Sequence, residues 1–173
     1  MRHHIFAWGL AATLALAAGM PSRAQQDEGG ETGFLDIFDG RFKGTGTLQN
    51  AGERSHNLTC EFDGDRQGSR VTLQGRCSTA VIFGTTVQID LTVDPKTGRY
   101  DGSFREGRGT VADLAGTRRG DSLSLSFVET AESVRPNPPA TLTINRRSGG
   151  LALTLRGSQP GRGQNLDLAL NEV

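Results

Sequence analysis

The chain has few of the residues on which most metal and nucleophilic sites depend. Its 173 residues include two cysteines, three histidines and one tryptophan. His56 is the only histidine after residue 4, and Trp8 lies in the first apolar stretch. A Cys and His zinc site needs more ligands than these, and a serine hydrolase of the Gly-x-Ser-x-Gly type has no counterpart in the sequence. We therefore predict no metal, no cofactor and no catalytic triad.

The chain also lacks an excess of either charge. Lysine and arginine together number 19, as do aspartate and glutamate, and only Lys43 and Lys96 among the basic residues are lysines. A balanced charge gives no general attraction to a polyanion. We predict that nucleic acid is not a partner.

Long apolar runs are absent except at the start of the chain. Arg2 and two histidines precede an apolar run over 5–19, and Ser22 and Ala24 place small residues at the −3 and −1 positions before Gln25. This pattern predicts a secretory signal peptide at 1–24, too short for a membrane anchor. We expect a bacterial protein of the periplasm or the exterior with no membrane span.

Two further regions follow the predicted leader. Residues 25–33 are polar and rich in glycine, which predicts a flexible N-terminal segment. The remainder, 34–173, has a length typical of one domain with a substantial core. Its short apolar block 34–38 fits either one helical turn or a brief strand.

After Gly40 the pattern predicts β-strands and no helix. Apolar and polar residues alternate, and turn-forming residues recur every 8–12 positions, for example at Asp63-Gly64-Asp65. The fold class is therefore all-β: a single antiparallel up-and-down barrel, or a barrel-like sandwich, of about 8–10 strands. A longer irregular connection is predicted at 130–140, where three prolines occur. The predicted strands are 40–48, 57–62, 70–77, 86–93, 99–105, 109–116, 122–128, 141–145, 151–155 and 165–170.

The two cysteines fall on neighbouring predicted strands. If Cys60 lies opposite Cys77, then Phe62 lies opposite Gly75 and the hairpin closes near residue 68. In an oxidising compartment this favours one disulfide, worth on the order of 3 kcal/mol for a loop of about 18 residues. The alternative is a pair of buried free thiols.

The stretch Gly40-Arg41-Phe42-Lys43-Gly44-Thr45-Gly46 resembles the first strand of lipocalin-like (calycin) barrels. Those barrels often begin with a short helical turn followed by Gly-x-Trp-x-Gly-x-Gly, so Phe42 stands where the family has tryptophan. The chain is also similar to small exported bacterial proteins of unassigned function. The resemblance implies a one-domain barrel whose interior holds a small apolar ligand. Haem-binding members such as the nitrobindins carry a histidine near the C-terminal end, and 165–173 contains none.

Two sets of side chains are candidate binding residues. The first comprises inward-facing aromatic residues that would line a ligand cavity or simply fill the core: Phe42, Phe62, Phe104 and Phe127. The second comprises arginines near turns that would form an anion patch or be separately solvated: Arg118, Arg119, Arg146 and Arg147. The first set predicts a non-enzymatic protein that binds a small apolar ligand or serves an envelope role.

Two alternatives remain open at this point. A protein-interaction module, such as a secreted-protease inhibitor, would insert the segment 25–33 into a partner. A hydrolase would depend on carboxylates, with Asp36, Asp39, Asp63 and Asp65 as candidates and His56 as the one available imidazole. The tripeptide Arg119-Gly120-Asp121 is predicted to be a hairpin turn rather than an adhesion motif.

Overall fold

The computed structural model describes residues 27–79, 84–159 and 161–173, and this part of the chain is almost wholly β. A helix, α1 (Asp27–Phe34), and a 3₁₀ turn, Leu35–Phe38, precede ten strands. The prediction of an all-β fold is confirmed. The strands are β1 Gly40–Asn50, β2 His56–Gln67, β3 Arg70–Thr79, β4 Gly84–Asp94, β5 Arg99–Glu106, β6 Thr110–Arg119, β7 Ser122–Glu129, β8 Ala140–Arg147, β9 Gly150–Gly157 and β10 Gln164–Glu172.

The ten strands form one closed barrel rather than a sandwich. Each strand pairs antiparallel with its neighbours in sequence, and β1 also pairs with β10, from Phe42 opposite Glu172 to Asn50 opposite Gln164. Closure satisfies the hydrogen-bonding groups that an edge strand would leave open. A ten-stranded barrel is wider than an eight-stranded one, so large side chains are needed to fill it.

Alternation along the strands places apolar side chains inside and polar side chains outside. In β7, for example, Leu123, Leu125 and Phe127 are buried whereas the intervening serines are not. Every strand contributes at least one buried apolar residue to a single core. This is the pattern that an antiparallel sheet with one dry face requires.

The hairpin of β2 and β3 has the predicted register. Cys60 lies opposite Cys77 and Phe62 opposite Gly75. The cysteines form a disulfide with their Cα atoms 4.1 Å apart, and both are buried in the core. The Phe62 ring lies across Gly75, where an added Cβ would come within 2.3 Å of it. The disulfide prediction is confirmed, and the free-thiol alternative is excluded.

The connection predicted over 63–68 is too long, because β2 continues through Asp63, Gly64 and Asp65 to Gln67. The chain reverses at Gly68, whose φ is +60°, so the predicted closure near residue 68 is confirmed. Gly64 faces inward, and a Cβ there would lie 1.6 Å from the carbonyl oxygen of Phe38. The glycine therefore belongs to the strand as a close-contact position for the 3₁₀ turn.

The two ends of the barrel differ in how they are covered. At one end, here called the closed end, the hairpins are tight, and the turn residues Gly68, Gly120 and Gly149 have positive φ. The N-terminal 3₁₀ turn packs there against β2, β3 and β9. At the other end, the open end, the connections 51–55, 130–139 and 158–163 are longer. No helix among the described residues covers that end.

The N-terminal segment forms a plug in the closed end, defined here as residues 30–38. Phe34, Leu35 and Phe38 are buried, and the Phe34 ring meets the rings of Phe38 and Tyr100 edge to face at centroid distances of 6.0 and 6.4 Å. The block 34–38 thus takes the helical alternative. A helix also stands where the sequence predicted a flexible segment, because contacts with the barrel outweigh its polar, glycine-rich composition.

Three further sequence predictions concern the signal peptide, a membrane span and the turn at residues 119–121. The proposed signal peptide, 1–24, lies outside the described residues and stays a prediction. Within the described ranges, no helix combines the length and apolar character needed to cross a bilayer. The tripeptide Arg119-Gly120-Asp121 lies at the tight connection between β6 and β7, as predicted.

Candidate ligand-binding site at the open end

The exposure of inward-facing apolar side chains increases toward the open end. In the closed half, Leu123 and Leu151 are 0% exposed, whereas Leu155 and Cys77 in the open half are each 8% exposed. Beyond them, a set of apolar residues is only partly buried although it faces inward. These residues are Leu58, Val87, Phe104, Ala140 and Leu166, and we call them the mouth residues. The mouth residues are apolar and pack against the core, which is the kind of surface that small-ligand sites use.

The four predicted ligand-lining phenylalanines occupy two separate places. Phe42 and Phe62 are register partners on β1 and β2, buried among the core residues. Phe104 and Phe127 lie further toward the open end, with ring centroids 5.0 Å apart. Only Phe104 is partly exposed at the mouth. The structure therefore places one aromatic pair in the filled interior and the other at the mouth, where Phe127 packs against Phe104.

Carboxylates at the rim of the mouth are held by local donors. Glu106 accepts hydrogen bonds from the Thr85 hydroxyl and from the backbone N–H of Arg108. Glu129 accepts two from Asn137, at 3.1 and 3.0 Å. These bonds leave the rim carboxylates fixed in place rather than free to move into the mouth.

The long connection 130–139 is anchored to the barrel by Ser133. Its hydroxyl accepts a hydrogen bond from the Val111 N–H and donates one to the Val111 carbonyl, both at 2.8 Å. Ser133 is the one buried polar residue among those described. A second hydrogen bond anchors the connection, because the Val134 N–H donates to the Gly109 carbonyl. The connection predicted as irregular is therefore fixed over one side of the mouth.

The four arginines of the predicted anion patch do not form one group in the structure. Arg118 and Arg146 both stack over the Phe34 ring, at 5.2 and 5.5 Å from its centroid. Arg118 also forms a two-pronged pair with Glu31, with N–O distances of 3.0 Å. Arg119 on β6 and Arg147 on β8 are exposed, and β7 lies between these two strands. Two of the four arginines thus hold the plug, and the carboxylate that Arg118 binds comes from the chain itself.

Tyr100 completes this contact at the closed end. Its hydroxyl donates to the Glu31 carboxylate at 2.8 Å. Burial is the main cause that raises the pKa of Tyr100, followed by the hydrogen bond to Glu31 and the charge of Glu31. The hydrogen bond with Glu31 raises the pKa of Arg118 in turn. Both groups therefore keep their protons firmly, and the plug is held at neutral pH by a charge-assisted network.

The carboxylates and the imidazole considered for a hydrolase do not come together. Asp36 pairs with Arg66 at 2.8 Å at the closed end, whereas His56 begins β2 at the open end. Asp63 and Asp65 point outward from β2. Within the described ranges, no group of three or more histidine, cysteine, aspartate or glutamate side chains is arranged to hold a metal ion.

Sequence reasoning missed Glu31 and Ser133. Glu31 lies in a polar stretch with no periodic pattern, and its partners are 69 and 87 residues away. Ser133 lies in a segment that reads as an irregular loop. A signal exists only for Glu31, as the acidic residue three positions before the apolar block.

A comparison with solved structures supports the fold class that this geometry defines, a closed antiparallel β-barrel. No family model matches the chain, and no curated protein matches it. Rv2717c from M. tuberculosis has a similar solved structure, with a TM-score of 0.64, 17% identity, and coverage of 83% of this chain and 97% of that one. The S-type phycobiliprotein lyase CPES from Guillardia theta also matches, with a TM-score of 0.40, 10% identity, and coverage of 88% and 98%.

Proposed function

We propose that this protein is a non-enzymatic binding protein of the periplasm or the cell exterior that holds a small apolar ligand at the open end of its barrel. The observation that carries this proposal is the set of mouth residues, which are apolar, inward-facing and partly exposed. Leaving apolar surface exposed to water costs about 25 cal/mol per Å², which a ligand recovers by covering it. At the closed end, Phe34, Leu35 and Phe38 are buried in the barrel, and Ile37 is the one partly buried apolar residue of the plug.

The absence of catalysis is part of the proposal and is supported by the separation of the titratable groups. His56 and Asp36 lie at opposite ends of the barrel, and the acidic partner of His56 in the described part of the chain is Glu53, at 3.9 Å. Insertion of the segment 25–33 into a partner is less compatible with the contacts, since Glu31 is bound to Arg118 and Tyr100. We therefore favour ligand binding over an inhibitor or a hydrolase.

The first experiment measures binding of the apolar fluorophore N-phenyl-1-naphthylamine to two matched variants. Val87→Phe enlarges a mouth residue, and Val128→Phe makes the same change on the outer face, where Val128 is 44% exposed. We expect Val87→Phe to weaken binding about tenfold, equivalent to about 1.4 kcal/mol, and Val128→Phe to leave it unchanged. Equal affinities in both variants, or no binding to the parent protein, would contradict the proposed site.

Native mass spectrometry of protein secreted by its own cell tests location and cargo together. Processing at the predicted site leaves residues 25–173 with one disulfide, so the polypeptide mass is known in advance. We expect that mass, with an additional mass that is lost on denaturation. A polypeptide that retains residues 1–24 would contradict export by cleavage.

A further inference from the structure

The mouth is too shallow to enclose a ligand entirely. The mouth residue Phe104 packs against Phe127, and the core residues Ile89, Leu114 and Leu153 are at most 3% exposed. A ligand seated on the mouth residues must therefore extend outward to the level of the connections. The chemistry of those connections decides what the outer part of the ligand is.

Three connections at the open end form a continuous arc around one side of the mouth. The Ala51 N–H donates to the Gly163 carbonyl at 2.9 Å, which joins 51–55 to 158–163. The Ser158 N–H donates to the Pro139 carbonyl, also at 2.9 Å, which joins 158–163 to 130–139. We call these three connections the mouth arc. They link β1 to β2, β9 to β10 and β7 to β8, which are adjacent in the barrel.

Each connection of the mouth arc carries one exposed arginine: Arg54, Arg162 and Arg135. No ion pair among the described residues involves any of the three. Guanidinium groups pair well with carboxylate and phosphate, and this arc presents three of them at the same end of the barrel as the mouth residues. The arrangement contrasts with Arg118 at the closed end, whose charge is matched by Glu31.

The carboxylates of the same region have other partners. Glu53 accepts a hydrogen bond from Asn50 at 2.8 Å, and Glu132 lies 3.7 Å from the Arg105 guanidinium. The rim carboxylates Glu106 and Glu129 accept the local hydrogen bonds described above. The three arginines therefore face solvent without a carboxylate of this chain bound to them in the described part of the protein.

We infer that the ligand is an amphiphile with an anionic head group, whose apolar tail covers the mouth residues while the arginines of the mouth arc bind the head group. This inference rests on the proposed function, because it takes the mouth as the ligand site. It adds the charge and the orientation of the ligand, which an apolar mouth alone does not specify.

The test compares ligands that share one tail and differ in the head group. Decanoate, decyl phosphate and decanol are each used to displace N-phenyl-1-naphthylamine from the full chain at neutral pH. Decanol is the most apolar, so without head-group recognition it competes best. We expect at least one of the anions to compete about tenfold better than decanol, with an advantage that falls as salt is added. The better anion identifies the head group as carboxylate or phosphate.

Arginine variants then assign the preference to the mouth arc. The triple variant Arg54→Gln, Arg135→Gln, Arg162→Gln is expected to lose the tenfold preference while it still binds decanol. The matched control, Arg119→Gln with Arg147→Gln, removes exposed arginines at the closed end and is expected to keep it. Urea unfolding of each variant confirms that the barrel is intact.

The outcomes separate this inference from the proposed function. If decanol competes as well as the anions, or if the triple variant keeps the preference, the anionic head group is ruled out and the apolar site stands. If the fluorophore does not bind and no decyl compound binds by calorimetry, the proposed function itself fails.

Discussion

The two ends of this barrel are built from the same strands but are stabilised in different ways. At the closed end, aromatic and aliphatic side chains of the plug meet the core, and Glu31, Arg118 and Tyr100 form one hydrogen-bonded network. At the open end, the mouth residues remain partly exposed, and backbone hydrogen bonds join the connections above them. The difference indicates that the closed end is the more tightly packed of the two, and the function proposed above assigns the open end to binding.

The largest expected contrast comes from deleting the same side chain at each end. Leu91→Ala removes a fully buried side chain near the plug, and we expect a loss of about 2–5 kcal/mol in the free energy of unfolding. Leu166→Ala removes a partly exposed mouth residue, for which we expect roughly 1 kcal/mol. Urea unfolding of both variants measures the contrast, and equal losses would show that the two ends are equally well packed.

The disulfide is expected to matter nearly as much, and for a different reason. Cys60 and Cys77 join β2 to β3 in the open half, where packing is thinner. Replacing both by alanine removes a link worth on the order of 3 kcal/mol in the chain-entropy model. Urea unfolding of oxidised protein and of the double variant gives the difference. Because the plug lies elsewhere, the double variant should keep the titration of Tyr100 unchanged, and a shifted titration would contradict this separation.

Glu31→Gln tests the network at the closed end. Removing the charge that pairs with Arg118 should cost roughly 1–3 kcal/mol in the free energy of unfolding, since the pair is mostly buried. It should also lower the pKa of Tyr100, because Glu31 raises it. The chain contains a single tyrosine, so tyrosinate absorbance reports on this residue alone.

Glu53→Gln at the open end is the matched control for that variant. Glu53 is exposed, and its removal should change stability by no more than about 0.5 kcal/mol. The tyrosine should titrate as in the parent protein. Identical titrations of Tyr100 in the Glu31→Gln variant and the control would contradict the network.

The smallest expected effect appears only in alkali. An unfolded tyrosine loses its proton near pH 10, about its ordinary pKa, whereas folding raises the pKa of Tyr100. Between those two pKa values the native state binds more protons, so stability is complete below about pH 10 and falls as the pH rises further. Tyr100→Phe should flatten that decline. The free energy of unfolding against pH for both proteins is the measurement, and parallel curves would refute the assignment.

Most of the barrel was predictable from local pattern, because one face of each strand must be dry. The strand predicted at 122–128 differs from the observed β7, Ser122–Glu129, by one residue. Pairing Cys60 with Cys77 also predicted the register of β2 and β3 correctly. The failures involve contacts between distant residues: Gly64 stays in a strand because Phe38 packs on it, and the helix before Leu35 depends on Glu31 reaching Arg118.

The candidate site was only partly predictable for the same reason. Alternation identifies Phe42, Phe62, Phe104 and Phe127 as inward-facing, but it does not say at which height in the barrel each lies. That height follows from the tilt and register of all ten strands together. Likewise, the sequence shows arginines near turns, but only the topology shows which turns share an end.

Closure of the barrel also has a consequence for how the chain folds. Nine of the ten strand pairings join neighbours in sequence, whereas the pairing of β1 with β10 joins the two ends of the domain, as in Gly44 opposite Leu170. Hairpins form quickly and contacts distant in sequence form late, so this last seam is expected to limit the rate of folding. Until it forms, β1 and β10 are both unpaired edges open to association with other chains. The 3₁₀ turn packs on both β2 and β9, on either side of the seam, so its docking also holds the finished barrel shut.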